Sequence, residues 1–184
     1  MKKNLRLILP GLALVALTAT GCWITSAQIF AHFDLPNPFT INGADGFERV
    51  YVDLNTISDY ADNKDKLKGI SDLAVVGKFT NTSGPGGGVE VYITPGNTNL
   101  ANPTAIVAGS TKLWGPGSIG ATGDVHTVGW DESAALFDAA GKAILLAEAQ
   151  GDGEFTIYTI GSPGTVNVIR VDDGGLILVL AAGL

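Results

Sequence analysis

Ile70–Thr94 reads ISDLAVVGKFTNTSGPGGGVEVYIT, and this stretch sets the fold class. Leu73, Val75 and Gly77 alternate with Ala74, Val76 and Lys78, the period-two pattern of a strand running from Ile70 to Thr82. Ser83 is followed by Gly84-Pro85-Gly86-Gly87-Gly88, a run that supplies turn geometry and little else. Val89–Thr94 (VEVYIT) then returns to β-branched and aromatic residues, so the stretch predicts a β-hairpin with a long flexible tip.

Working outward, the same signals recur. Upstream, Ala27–Leu35 (AQIFAHFDL) is an apolar strand closed by Pro36 and Pro38, with Phe39–Ile41 continuing it before the Asn42-Gly43 turn. Phe47–Leu54 alternates cleanly, with Phe47, Arg49, Tyr51 and Asp53 on one face and Glu48, Val50, Val52 and Leu54 on the other. Ser58–Gly69 (SDYADNKDKLKG) is the most charged patch and predicts a short exposed helix or turn capped by Ser58 or Asp59. Downstream, Pro95–Pro103 reads as a loop, Thr104–Trp114 as one or two short strands, and Gly115–Gly123 as a second glycine-rich loop. Val125–Trp130 is a strand. Asp131–Gln150 carries Leu136, Phe137, Ala140, Ile144, Leu145 and Glu148 at helical spacing, with Gly141 as a point of division. Glu154–Ile160, Thr165–Val171 and Leu176–Ala182 are strands, the last two joined by an Asp172-Asp173-Gly174-Gly175 hairpin turn. The expected architecture is a mainly β, antiparallel β-sandwich of roughly eight strands with one helical segment at about 131–150; the alternative is a β-barrel.

The first 22 residues, MKKNLRLILPGLALVALTATGC, follow different rules. Lys2, Lys3 and Arg6 precede an apolar run from Leu7 to Ala19, shorter than the roughly 20 apolar residues that a spanning helix needs. Ala19-Thr20-Gly21 then stands before Cys22, the single cysteine of the chain. This ending resembles the lipobox of bacterial lipoproteins, with Ala19 where that family more often carries leucine. The resemblance implies that residues 1–21 are a cleaved signal peptide, that Cys22 receives a diacylglycerol and usually an acyl chain, and that 22–184 is one β-rich domain held at a membrane. Several acyl chains anchor firmly where one does not. An unpaired thiol outside the cytoplasm would be an oxidation liability, which acylation removes. In the same family an aspartate after the cysteine is the retention signal for the inner membrane; Trp23 stands here, so the outer membrane is the expected location.

Removing the leader with Lys2, Lys3 and Arg6 leaves 163 residues carrying eight basic and 18 acidic side chains, a net charge of −10. That balance argues against nucleic-acid partners and against adhesion to anionic headgroups by charge. With 25 glycines in 184 residues, it suits a turn-rich β domain.

Few residues offer chemistry. His32 and His126 are the only imidazoles, each inside a predicted strand, and no Gly-x-Ser-x-Gly elbow occurs. Asp124 and His126, two apart on a strand, share a face and form the one acid–base pair on which a hydrolase could be built. Asp59, Asp62, Asn63 and Asp65 offer calcium-type oxygens, but they miss the Asp-x-Asp-x-Asp-Gly spacing and Lys64, Lys66 and Lys68 are interleaved, so a solvated helix start is the better reading. No metal or cofactor site is expected. Neither glycine loop contains Gly-Lys-Ser/Thr, so both read as turns and not as phosphate cradles. Asn81-Thr82-Ser83 matches the N-glycosylation pattern, and Trp23, Trp114 and Trp130 read as edge-of-core packing before ligand contacts.

The expectation is a non-enzymatic lipoprotein of the cell envelope, a membrane-anchored sandwich whose glycine loops contact a protein or glycan partner. Two alternatives stand beside it: a self-assembling surface subunit that exchanges the Ala27–Leu35 strand, and an envelope hydrolase built on His126 and Asp124.

Overall fold

The structure is a computed structural model and describes residues 26–43, 45–162 and 164–183. Nine strands form two antiparallel sheets: β1 (Ser26–Asp34), β2 (Phe39–Asn42), β3 (Phe47–Asp53), β4 (Leu67–Ser83), β5 (Gly87–Pro95), β6 (Thr111–Ile119), β7 (Val125–Val128), β8 (Glu154–Gly161) and β9 (Val168–Gly183). The first sheet runs β1-β9-β4-β7, with β2 continuing the line of β1 along β9; the second runs β3-β8-β5-β6. Four helices join them: α1 (Ser58–Ala61), α2 (Pro103–Gly109), α3 (Trp130–Ala135) and α4 (Ala139–Gln150). The sandwich is therefore as expected, and no closed barrel forms among the described residues.

Alternation builds the core. Ile29, Ala31 and Leu35 from the β1 line, Leu73, Val75 and Phe79 from β4, and Leu176, Leu178 and Leu180 from β9 face Val52, Val89, Val91, Ile93, Phe155 and Ile157 of the other sheet. Trp114 of β6 is fully buried among them. Its indole donates to Ser133 Oγ of α3 at 3.0 Å, and the Val75 N–H of β4 donates to the same oxygen at 2.7 Å. One buried hydroxyl thus joins both sheets and a helix. A smaller cluster of Tyr92, Ile106, Tyr158 and Ile160 packs α2 onto the outside of the second sheet.

Three sequence expectations are corrected. First, β4 and β5 do not form a hairpin. β4 pairs with β9 and β7 while β5 pairs with β8 and β6, so the glycine run between them crosses from one sheet to the other. Local alternation records that two strands exist; it says nothing about which neighbour completes each ladder.

Second, Asp172–Gly175 is not a turn. β9 runs unbroken from Val168 to Gly183 and pairs with β4 over its length. The register shifts between Val76 and Lys78, which face Gly175 and Asp172; the extra residues bulge there, with Asp173 at φ 52°. A bulge draws on the same Asp and Gly residues as a tight turn.

Third, the helix expected at 131–150 is two helices, and the break is not at Gly141. It falls at Leu136–Asp138, where the chain leaves the helix to bond with β6: Gly115 N–H donates to Leu136 O and Asp138 N–H to Leu113 O. Asp138 then caps α4 through the N–H groups of Ala140 and Gly141. Gly141 sits inside α4 because the helix presses on β6; a Cβ there would stand 2.3 Å from Lys112 O and 2.5 Å from Leu113 Cα.

In addition, Thr104–Trp114 holds α2 and the start of β6 instead of strands alone. Asn102 caps α2 through the Ala105 N–H, with Pro103 in the first turn. The second glycine loop is shorter than expected, because β6 continues through Gly115-Pro116-Gly117 to Ile119.

Candidate functional site

Register fixes where the loops lie. Ser26 pairs with Gly183 at one end of the first sheet, and Asn42 and Ser83 both pair with Val168 at the other. The β2–β3, β4–β5, β6–β7 and β8–β9 connections all leave from that second end, and each crosses between the sheets. β9 alone spans 16 residues, about 50 Å at roughly 3.3 Å per residue, so this loop end is far from Ser26. Both glycine runs singled out in the sequence meet there.

The meeting is held by hydrogen bonds. Thr122 donates its N–H and its hydroxyl to Gly84 O, both at 3.0 Å. Asn81, fully buried, donates from Nδ2 to Pro85 O and Gly120 O, each at 2.8 Å, and accepts from Ser83 N–H. Its main chain also bonds Asp124 and Gly123. The tip expected to be flexible is thus pinned on both sides. The same bonds leave the Asn81 amide inaccessible, so the glycosylation pattern does not present an acceptor in the folded chain. Gly84 adopts φ 98°, and a Cβ would stand 2.4 Å from Val166 O, which accounts for glycine at this crossing.

The β8–β9 connection completes the end. Gly43 N–H donates to Asn167 O at 2.6 Å and Ser162 N–H to Gly88 O at 2.9 Å. The Asn167 side chain is buried against Gly87, and neither its nitrogen nor its oxygen finds a hydrogen-bond partner among the described residues. Val166 is 74% exposed and Val125, at the start of β7, 51%. Gly161 and Gly164 also line an open cleft of about 410 Å³ beside α2, whose other walls are Pro103, Thr104, Val107, Ala108 and Ile160. The mostly apolar cleft adjoins the β8–β9 connection through Gly161 and Gly164, which the sequence did not reveal. Next to Ile160 in the ladder, Glu90 is buried and held by Lys112 Nζ at 3.1 Å and by the Tyr92 hydroxyl at 2.7 Å. Burial first, and then that bond to Glu90, push the Tyr92 phenol well above its ordinary value.

The other candidates fall elsewhere. Asp124 is not oriented toward His126: its Oδ2 accepts from Gly120 N–H at 2.6 Å, while His126 Nε2 lies 2.7 Å from Glu132 Oε1. Spacing along the strand therefore pointed to the wrong acid, and no serine, threonine or cysteine bonds His126 among the described residues. His32 stands 3.4 Å from Asp34, both exposed. Asp59 lies in the first turn of α1, and Asn63 Nδ2 bonds the Asp59 carbonyl instead of joining a ligand set. Among the described residues no group of three His, Cys, Asp or Glu side chains converges to hold a metal. α1 is the short helix expected, with Ser58, Asp59 and Ala61 exposed, but Tyr60 is fully buried and donates to Ala149 O at 2.8 Å. Trp130 Nε1 donates to Asp72 Oδ2 at 2.9 Å. Residues 1–21, Cys22 and Trp23 lie outside the described residues.

No protein-family model matches this chain, and no curated protein sequence is significantly similar to it.

Proposed function

We propose that this protein is a non-enzymatic lipoprotein of the bacterial cell envelope, acylated at Cys22 and anchored in the outer membrane. The sandwich is a binding module that offers its loop end and the adjoining cleft to an envelope protein or a glycan. The single observation behind this reading is the placement of the glycine loops. Both gather, hydrogen-bonded and rigid, at the end of the sandwich farthest from Ser26, four residues after Cys22. Loops held on a rigid sheet framework are where recognition is commonly carried. Among the described residues His126 bonds Glu132 and no nucleophile, so the hydrolase alternative draws no support from this pair.

The test is photo-cross-linking in intact cells from a reactive residue placed at Val166, compared with one at Tyr51 on the far edge, in the wild-type and Cys22→Ala backgrounds. A stoichiometric adduct from position 166 alone, together with detergent-phase partitioning that Cys22→Ala abolishes, is the expected result. Unchanged partitioning of Cys22→Ala overturns the anchor. Adducts of equal yield from both positions overturn the loop end as the binding surface.

A further inference from the structure

β1 bonds β9 through nine consecutive register pairs without a shift. The Leu35 N–H donates to Gly174 O, which sets the phase of that ladder. In an antiparallel pair alternate residues turn both main-chain groups to the same side, so Ile29, Ala31 and Phe33 face β9 while Gln28, Phe30, His32 and Asp34 face away. Among the described residues no hydrogen bond meets the main chain of those four. All four are exposed, and Phe30, the midpoint of the strand, is 66% exposed.

The remaining edges are guarded. β2 is four residues long and follows Pro36 and Pro38. β3 turns Glu48 to the same face as core residues Val50 and Val52, an inward charge that forbids stacking a further sheet edge. In the free half of β4 two N–H groups are taken by side chains, Leu73 by Asp72 Oδ1 and Val75 by Ser133 Oγ. β6 is covered by Leu136–Asp138, and β7 has four residues. Short strands, prolines, inward charges and covering segments are how sheets avoid pairing with one another. β1, reading SAQIFAHFD, has none of them.

We propose that the outer edge of β1 is a self-association surface, through which two copies pair antiparallel about a two-fold axis at Phe30. This register places Phe30 opposite Phe30 of the second copy on the outer face, Gln28 opposite His32, Ile29 opposite Ala31 and Ser26 opposite Asp34. No like charges face each other, and the central aromatic pair is of the kind that stabilises cross-strand contacts. The net charge of −10 on each copy opposes association only weakly here. The edge carries just Asp34 and His32, and charges farther than about 8 Å are screened at physiological salt. The two chains leave this ladder at opposite ends, about 30 Å apart for nine residues, so anchored copies meet with β1 lying along the membrane surface.

The test uses the full-length chain in native membranes, with Phe30→Cys and a short bifunctional maleimide. Peptide mapping should find residue 30 linked to residue 30. Asp34→Cys should react about tenfold less, because in this register the two copies of that position stand about 26 Å apart and share no effective concentration. Equal cross-linking of the two variants, or none from either, overturns the proposal. Phe30→Lys supplies a check without cysteine: it should sediment in mild detergent as a monomer where the wild type sediments as a dimer, with Trp114 fluorescence unchanged as evidence of folding. A wild-type monomer, or a dimer that survives Phe30→Lys, also overturns it. Cross-linking of the wild type through Cys22 would refute acylation, while the presence or absence of the 30-to-30 peptide still decides pairing independently.

Discussion

Ser133→Ala removes a single buried oxygen and should be among the most damaging small substitutions in the protein. Ser133 and Trp114 are fully buried and Val75 nearly so. In the variant the Val75 N–H loses its acceptor at 2.7 Å. The Trp114 indole loses its contact at 3.0 Å and keeps only the Ser133 carbonyl at 3.2 Å. Leaving a buried donor unpaired costs about 1–3 kcal/mol, and weakening a second hydrogen bond adds about 0.5–1 kcal/mol. The sum, roughly 2–4 kcal/mol, is a large share of a stability that is typically about 5–15 kcal/mol. For a chain of this size about 1 kcal/mol moves Tm by roughly 2–4 °C, so a fall of about 5–15 °C is expected. Urea unfolding followed by tryptophan fluorescence reads the loss directly, with an exposed change such as Thr56→Ala as the reference. A variant within about 0.5 kcal/mol of wild type, the ordinary surface range, would refute the view that this hydroxyl ties the two sheets together.

Three further outcomes are expected. Gly141→Ala should destabilise, although helix propensity alone favours alanine by about 1 kcal/mol, because the new methyl meets β6 backbone at 2.3–2.9 Å; a higher denaturation midpoint would show that α4 can lift off. Thr94→Val should stabilise by about 1 kcal/mol in the same assay, since the Thr94 hydroxyl is buried without a partner among the described residues and valine keeps the shape; a loss of stability would mean that the hydroxyl is hydrogen-bonded in solution. Burial raises the Glu48 carboxyl above its ordinary 4.5, outweighing the bond from the Arg49 backbone that lowers it. The folded state then holds the proton more tightly than the unfolded one, so stability falls as pH rises through and above that value. The wild type should accordingly gain more than Glu48→Gln on moving from pH 7 down to the ordinary value of 4.5, and parallel urea midpoints across that range would exclude the effect.

Much of the fold was legible because alternation is a local property. β1, β3, β5 and β8 lie within a residue or two of where the period-two pattern put them, and the two faces of Phe47–Asp53 are the ones the sequence predicts. Pairing partners were not legible. Ser83–Gly88 has the composition of a hairpin tip, yet Asn81 reaches across to Gly120 and directs the chain to the other sheet. Asp172–Gly175 has the composition of a turn, yet β4 on its far side keeps the strand running straight. The Asn102-Pro103 start of α2 carried a recognisable capping signal that outweighs the strand-like residues after it. Of the candidate site, the glycine loops were found one by one. Their convergence, the cleft beside α2 and the true partner of His126 depend on contacts between residues distant in sequence.

The place of β9 sets an order of events for the living chain. The ninth described strand is the inner strand that β1, β2 and β4 all require, and Ser26 finds its partner only at Gly183. Six of the eight connections between the described strands cross between the sheets, so few contacts close early, and a fold dominated by such distant pairings assembles slowly. The first sheet cannot form before β9 has been synthesised. A chain bound for export would gain from this delay, because it would stay threadable throughout translocation and complete its β9 ladders on the far side of the membrane.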